Sequence, residues 1–471
     1  MKMIINGLDQ QAKTTFDVRN PVTQEVITTV PNAGAAEAEL AVESAYSAHL
    51  NWKETTAEER AGFLMNWYKK IDEHKEELAR LMTSEQGKPF KEALGEVQYA
   101  NNYIAWYAEE AKRIYGETIP ASHRNKRILV QKQPVGVIAA ITPWNFPAAM
   151  ITRKIAPAIA AGCTALIKPA EQTPLTALRL VELANEAGAP PGLINIVTGD
   201  AETISNVWLA DSRVRKLSFT GSTEIGKLLM KKSADTMKRL SLELGGQAPF
   251  IVLADADLDK AVTGAVASKF RNAGQTCVCS NRFYVHESVE KAFTDKLKAA
   301  VETLIVGDGL DPATDIGPLI DQDAYNKVLH HIQQAVDNGA TIVTGGKGVT
   351  LQKGYFVQPT VLTNTNDSMT CMTEETFGPV LPISTFTDEK EAIKRANDTP
   401  FGLAAYLFTE NLSKALTLSE ALDFGIIGLN DGAPSAAQAP FGGFKESGLG
   451  REGGHQGIDE YLETKYISIG L

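Results

Sequence analysis

From Val135 onward the chain keeps a rhythm that few folds accommodate: short apolar runs, each too short for a core helix, alternate with longer helical patterns. The first five runs fall at 137–142, 165–168, 194–197, 216–219 and 239–243. Runs of this length without polar alternation are buried on both faces, and parallel strands covered by helices are the arrangement that achieves this. A second series follows near 250–253, 282–285, 341–343, 357–361, 404–408 and 425–429, with helical stretches such as 288–303 and 322–338 between them. Gly245-Gly246 separates the two series and marks the expected domain boundary.

A chain of 471 residues exceeds what one core organises, and 44% apolar content suffices for two. Ahead of the first series lie strand-like 17–19 and 26–30, then helical patterns over 37–52, 56–86 and 90–114. The second of these opens on Thr56-Ala57-Glu58-Glu59, which reads as a capping box. Residues 126–132 alternate with period two, predicting a half-exposed strand outside the main sheet, and the tail from Gly457 to Ile467 alternates again and is expected to pair across subunits.

The net charge of -11 and the absence of a basic run argue against nucleic acid as a partner. Residues 1–7 lack the apolar segment of a signal peptide. The longest apolar run, 155–167, contains Pro157 and is too short to span a bilayer, so a cytoplasmic location without membrane attachment is expected. Four cysteines, two of them one residue apart, do not make a disulfide framework, and seven histidines show no ligand spacing, so no catalytic metal is expected.

One cysteine has different company. Cys277 lies in Phe270-Arg271-Asn272-Ala273-Gly274-Gln275-Thr276-Cys277-Val278-Cys279, among small and polar residues with arginines nearby. A thiol has an ordinary pKa near ~8.5 and must be ionised to attack, which a positive local field promotes. Cys163 and Cys371 read as core residues. Cys279 is a candidate for a strained, easily reduced disulfide with Cys277. Glu243, between Leu242 and Leu244, sits in an apolar context that raises a carboxyl pKa, as a general base requires. Gly221-Ser222-Thr223-Glu224-Ile225-Gly226 follows a strand and opens a helix, where N–H groups and the helix dipole hold a pyrophosphate. Its spacing departs from Gly-x-Gly-x-x-Gly and the acidic residue, Glu171, lies upstream, so spacing alone leaves plain helix capping open.

Five motifs stand in order along the chain: Pro143-Trp144-Asn145-Phe146-Pro147, Phe219-Thr220-Gly221-Ser222, Leu242-Glu243-Leu244-Gly245-Gly246, Gly274-Gln275-Thr276-Cys277 and Glu375-Thr376-Phe377-Gly378-Pro379. Together they resemble the signature set of the NAD(P)-dependent aldehyde dehydrogenase superfamily, with its succinate-semialdehyde branch the nearest likeness. The resemblance implies an α/β fold. A variant Rossmann cofactor domain is expected at 1–115 and 135–245, an α/β catalytic domain at 246–445, and a small β oligomerisation element at 116–134 and 446–471.

It also implies the roles. Cys277 is the nucleophile, Glu243 the base that admits water to the thioester, and Asn145 with the Cys277 N–H the oxyanion hole. Thr142, Trp144, Lys168, Glu171, Gly221, Ser222, Glu243, Glu375 and Phe377 would hold NAD, with NADP the weaker cofactor because Glu171 repels a 2′-phosphate. Arg153, Arg271 and Ser435 would hold the carboxylate of a semialdehyde, best succinate semialdehyde. Alternatives are glutarate semialdehyde or another short semialdehyde, CoA in place of water, or a binding protein without activity. A homodimer or homotetramer is the expected assembly.

Overall fold

Val137–Ile141 and Thr164–Lys168 are buried along their whole length, and they pair in parallel with each other and with neighbours of the same kind. In the computed structural model, which describes residues 1–471, they lie at the centre of an eight-stranded sheet. Its order is Leu8–Gln10, Met3–Ile5, Ile194–Ile196, Thr164–Lys168, Val137–Ile141, Val214–Thr220, Arg239–Glu243 and Gly448–Leu449. The register sets Ile141 opposite Lys168 and Phe219, and Thr220 opposite Glu243. The carboxyl ends of these strands therefore form one edge, from which Asn145, Lys168, Gly221 and Glu243 all emerge or follow, as ligand-binding residues do in open α/β sheets.

The second series forms a seven-stranded sheet in the order Thr341–Thr344, Thr360–Thr363, Val380–Phe386, Ser280–His286, Ala248–Val252, Ala404–Phe408 and Ile426–Leu429. Val380–Phe386, near its middle, was not predicted: Pro382 inside the run argues against an interior strand. The expected strand at 357–361 is two short ones, Phe356–Val357 and Thr360–Thr363, divided around Pro359.

The expected helix over 56–86 is also divided, into Ala57–Glu73 and Lys75–Gln86, because His74 leaves helical geometry (φ -111°, ψ 17°). Its capping box forms: the Thr56 hydroxyl accepts from the Glu59 N–H, and the Glu59 carboxylate accepts from the Thr56 N–H at 2.7 Å. Met3–Ile5 and Leu8–Gln10, too short to show periodicity, extend the first sheet.

Glu117–Ile119, Lys126–Pro134 and Leu462–Gly470 make a separate three-stranded sheet. The tail pairs on one side with its own chain, from Leu462 opposite Pro134 to Gly470 opposite Lys126, and is the edge strand of this sheet. Gly448–Leu449 has already joined the first sheet beside Arg239–Glu243, and this delivers the tail alongside Lys126–Pro134. No helix is long and apolar enough to cross a membrane.

Candidate active site

The loop that carries the thiol is built against local preference. After the helix Leu258–Phe270, Asn272 (φ 50°) and Ala273 (φ 54°) are left-handed, and so is Gly274 (φ 76°). Each left-handed non-glycine residue costs roughly 1–2 kcal/mol. Asn272 holds the turn: its N–H donates to Glu92 at 2.8 Å, its Nδ2 donates to the carbonyls of Asn145 (3.1 Å) and Gln275 (3.3 Å), and its Oδ1 accepts from Gln86 Nε2 at 2.9 Å. A Cβ on Gly274 would stand 2.2 Å from the Gly378 carbonyl, so this glycine lets the thiol loop touch the Glu375–Pro379 segment.

The oxyanion candidate is held equally firmly. Asn145 Nδ2 donates one hydrogen to the Gln275 carbonyl at 3.0 Å and has a second to give, while the Cys277 N–H donates to no main-chain carbonyl. Lys88 Nζ donates to the Asn145 carbonyl at 2.7 Å, pairs with Glu96, and lies 4.0 Å from the Phe146 ring centre. Glu96 in turn accepts from the N–H groups of Ala148 (2.9 Å) and Ala149 (3.2 Å) at the start of the next helix. Lys88, Glu96 and Asn272 went unnoticed in the sequence, since their partners lie far along the chain.

Cys277 is the one residue common to two cavities. The first, about 340 Å³, is walled by Phe146, Met150 and Phe441 and carries Arg153, Arg271 and Ser435, so the three carboxylate candidates meet there. The second, about 290 Å³, is lined by Trp144, Asn145, Gly221, Ser222, Glu375 and Phe377. Trp144 and Phe377 meet edge to face at 5.6 Å. Ser222 caps the helix Thr223–Ser233, leaving its first N–H groups at the cavity. Burial pushes the Glu375 carboxyl up to about 7, partly offset by the Gly246 N–H donating to it at 3.2 Å.

Four predicted site residues line neither cavity: Thr142, Lys168, Glu171 and Glu243. Lys168 is buried and ion-paired with the partly exposed Glu171 beyond the strand end. Glu243 is near enough to Cys277 for its charge to act on the thiol, and has one carboxylate oxygen buried and unpartnered; the other stands 2.9 Å from where a Cβ on Gly442 would be.

The electrostatics correct one expectation. Arginine charges were to lower the thiol pKa, but burial pushes Cys277 up to about 12; Arg153 and Arg271 pull it down, while Glu375 and Glu243 push it further up. Burial also raises Glu243 well above the carboxylate range, reinforced by Glu452. Glu452 is the member of this pair that stays charged, because Arg153 and Lys154 both bind it in the interior. Arg153 is thus partly committed: its Nε goes to Glu452 and its guanidinium lies 4.2 Å from the Phe441 ring centre, yet its buried Nη2 has no partner. Cys279 is buried, with its thiol 3.5 Å from the Lys269 carbonyl, and all four cysteines are free.

The sequence profile of the Aldehyde dehydrogenase family matches residues 8–467. The chain belongs to this family. It is 55% identical to the succinate-semialdehyde dehydrogenase [NADP(+)] of Escherichia coli (strain K12) over 99% of this chain and 97% of that one. It is 54% identical to a glutarate-semialdehyde dehydrogenase of Pseudomonas putida over the same shares. A crystal structure of the succinate-semialdehyde dehydrogenase from Burkholderia pseudomallei superposes with a TM-score of 0.99 at 51% identity, covering 100% of this chain and 98% of that one. As an aldehyde dehydrogenase the protein oxidises aldehydes with NAD(P), and the second cavity fits such a cofactor. It is lined by Ser222 at the start of the helix Thr223–Ser233, the Glu375 carboxyl, the aromatic pair Trp144 and Phe377, and the thiol.

Proposed function

We propose that this aldehyde dehydrogenase oxidises succinate semialdehyde to succinate. The carrying observation is that Cys277 joins a cavity ending on two arginines and a serine to one suited to NAD(P). Bound in the second cavity, NAD(P) supplies the hydride acceptor. Arg271, the free Nη2 of Arg153 and the Ser435 hydroxyl orient the distal carboxylate. That binding directs the aldehyde carbon at Cys277. As the sulfur attacks, Asn145 Nδ2 and the Cys277 N–H stabilise the oxyanion. The adduct is a thiohemiacetal, and once its carbon has given up hydride it becomes a thioester on Cys277, which is cleaved by a water that Glu243, once deprotonated, activates. The buried Glu243 carboxylate oxygen without a partner favours water over CoA at this step.

The arginines also suit glutarate semialdehyde, and one methylene changes affinity by only ~1–3 kcal/mol. The nearly equal identities to the two kinds of relative make it the second reading. On the cofactor, Lys168 neutralises Glu171 by direct pairing, which weakens the repulsion expected toward a 2′-phosphate. NAD is preferred and NADP is accepted. The division into a cofactor domain (1–115, 135–245), a catalytic domain (246–445) and an assembly element (116–134, 446–471) of a cytoplasmic homodimer or homotetramer belongs to the same proposal. The eight-, seven- and three-stranded sheets support it, with Gly448–Leu449 alone crossing from the assembly element into the first sheet.

A panel of kcat/KM values for succinate semialdehyde, glutarate semialdehyde and butanal, each with NAD and NADP, tests the reading. Succinate semialdehyde should lead butanal by at least about a hundredfold, since butanal forgoes two charge-assisted hydrogen bonds or more. Comparable values for butanal would sink it.

A further inference from the structure

Away from the thiol, a polar cavity of about 510 Å³ lies where the helix ends at Trp52 and Ala161, the start of the helix Ala57–Glu73, and the strands Lys126–Pro134 and Leu462–Gly470 converge. Lys53, Arg60, Lys132 and Lys465 face a single lining carboxylate, Glu54. Four permanent cations less one carboxylate leave a local +3, in a chain whose net charge is -11. The existing pairings are loose: Lys53 is 3.6 Å from Glu54, and Lys132 is 3.4 Å from Asp459.

Arg60 is the telling member. The other deeply placed arginines have strong partners: Arg282 donates to the carbonyls of Gln247 and Ala396, and Arg153 is ion-paired with Glu452, though its Nη2 faces the aldehyde cavity without one. Arg60 has no carboxylate partner, its Nε is buried without an acceptor, and burial lowers its pKa. A Cβ on Gly162 (φ +95°) would stand 2.7 Å from its Nη1, so a glycine at the end of the helix Ala149–Ala161 admits the guanidinium to the wall. The negative end of that helix favours the charge. It leaves the hydrogen bonds unmade. His49 Nδ1, on the same wall, is buried and unpartnered too.

A buried polar group without a partner costs roughly 1–3 kcal/mol, and more when charged. A planar guanidinium flanked by lysines matches phosphate oxygens in both geometry and charge. We propose that this cavity binds the phosphate groups of a small molecule, bridging the helices of the first sheet to the C-terminal strand at a site separate from both catalytic cavities. The bound oxyanion would accept from Arg60, with Lys132 and Lys465 supplying charge from the two strands. Occupancy would fasten Leu462–Gly470 to the helical layer.

Calorimetric titration of the NAD-saturated enzyme with inorganic pyrophosphate, at fixed ionic strength, tests this, because saturation keeps the probe out of the cofactor cavity. The wild type should show one site per chain, weakened at least about tenfold in Arg60→Gln and in Lys132→Gln, the loss of one charge-assisted hydrogen bond. The kcat/KM for aldehyde should not change in either variant. Without ligand, Arg60→Gln should melt no lower than wild type, since it removes an unpartnered buried cation, while pyrophosphate should raise only the wild-type melting temperature. Repeating the titration with ATP separates the sources: tighter binding than pyrophosphate assigns a nucleotide, and weaker or equal binding a free oxyanion. The proposal is overturned if the NAD-saturated wild type binds neither probe, or if both variants bind as tightly as wild type. A lower melting temperature of ligand-free Arg60→Gln with an intact response to pyrophosphate would likewise assign Arg60 a purely structural role.

Discussion

Arg271→Ala separates carboxylate recognition from chemistry. Arg271 is half-buried on the cavity wall, with its guanidinium 5.3 Å from the Phe146 ring centre and no carboxylate paired to it. Its fork is therefore free for a ligand. Arg153 is already engaged, with its Nε held by Glu452. A carboxylate would take two hydrogen bonds from Arg271, each worth ~1.5–3 kcal/mol when charge-assisted. Water reaches the site in the variant and recovers part of this, so the lower bound for two bonds, about 3 kcal/mol, is the appropriate figure. At 1.36 kcal/mol per decade this is a loss of about 150-fold in kcat/KM for succinate semialdehyde. The bonds exist before and during reaction alike, so the loss belongs in KM, with kcat nearly retained. Butanal, lacking the carboxylate, should change by less than about threefold on the same scale. Initial rates of reduced-cofactor formation with both aldehydes give the comparison. Equal losses for the two substrates, or a loss confined to kcat, would refute the reasoning.

Two further perturbations follow from the buried charges. Cys277, pushed up to about 12, and Glu243, raised well above the carboxylate range, must each lose a proton to act, so kcat/KM should climb with pH from about 6 to 9; a flat profile there would contradict it. Glu452→Gln removes the like charge that raises Glu243 and leaves Arg153 and Lys154 unpaired in the interior. It should destabilise the fold by ~3–5 kcal/mol, seen as a lower melting temperature, and move the rise of kcat to lower pH. An unchanged kcat profile would uncouple the two carboxyls.

The sequence carried the parallel sheets because strands buried on both faces must be largely apolar, as Val137–Ile141 and the Ala165-Leu166-Ile167 centre of Thr164–Lys168 are. It hid Val380–Phe386, where Pro382 argues against a strand until the neighbouring strands are known. The motif residues could be read one by one, and Arg153, Arg271 and Ser435 do line one cavity with Cys277. Glu452 could not, because it meets Arg153 across 299 positions of sequence. The thiol pKa was misjudged for a related reason. Arginines six residues away or near a motif are visible in a string of letters, whereas the burial that outweighs them exists only in the fold.

The central claim is that Cys277 carries the acyl group and Glu243 releases it. The most direct measurement is a single-turnover experiment on Glu243→Gln with succinate semialdehyde and NAD, followed by mass analysis of the quenched protein. The expected result is a burst of one reduced cofactor per active site, almost no steady turnover, and a succinyl group on the peptide bearing Cys277. Undiminished steady turnover, or a succinyl group on any other residue, would contradict it.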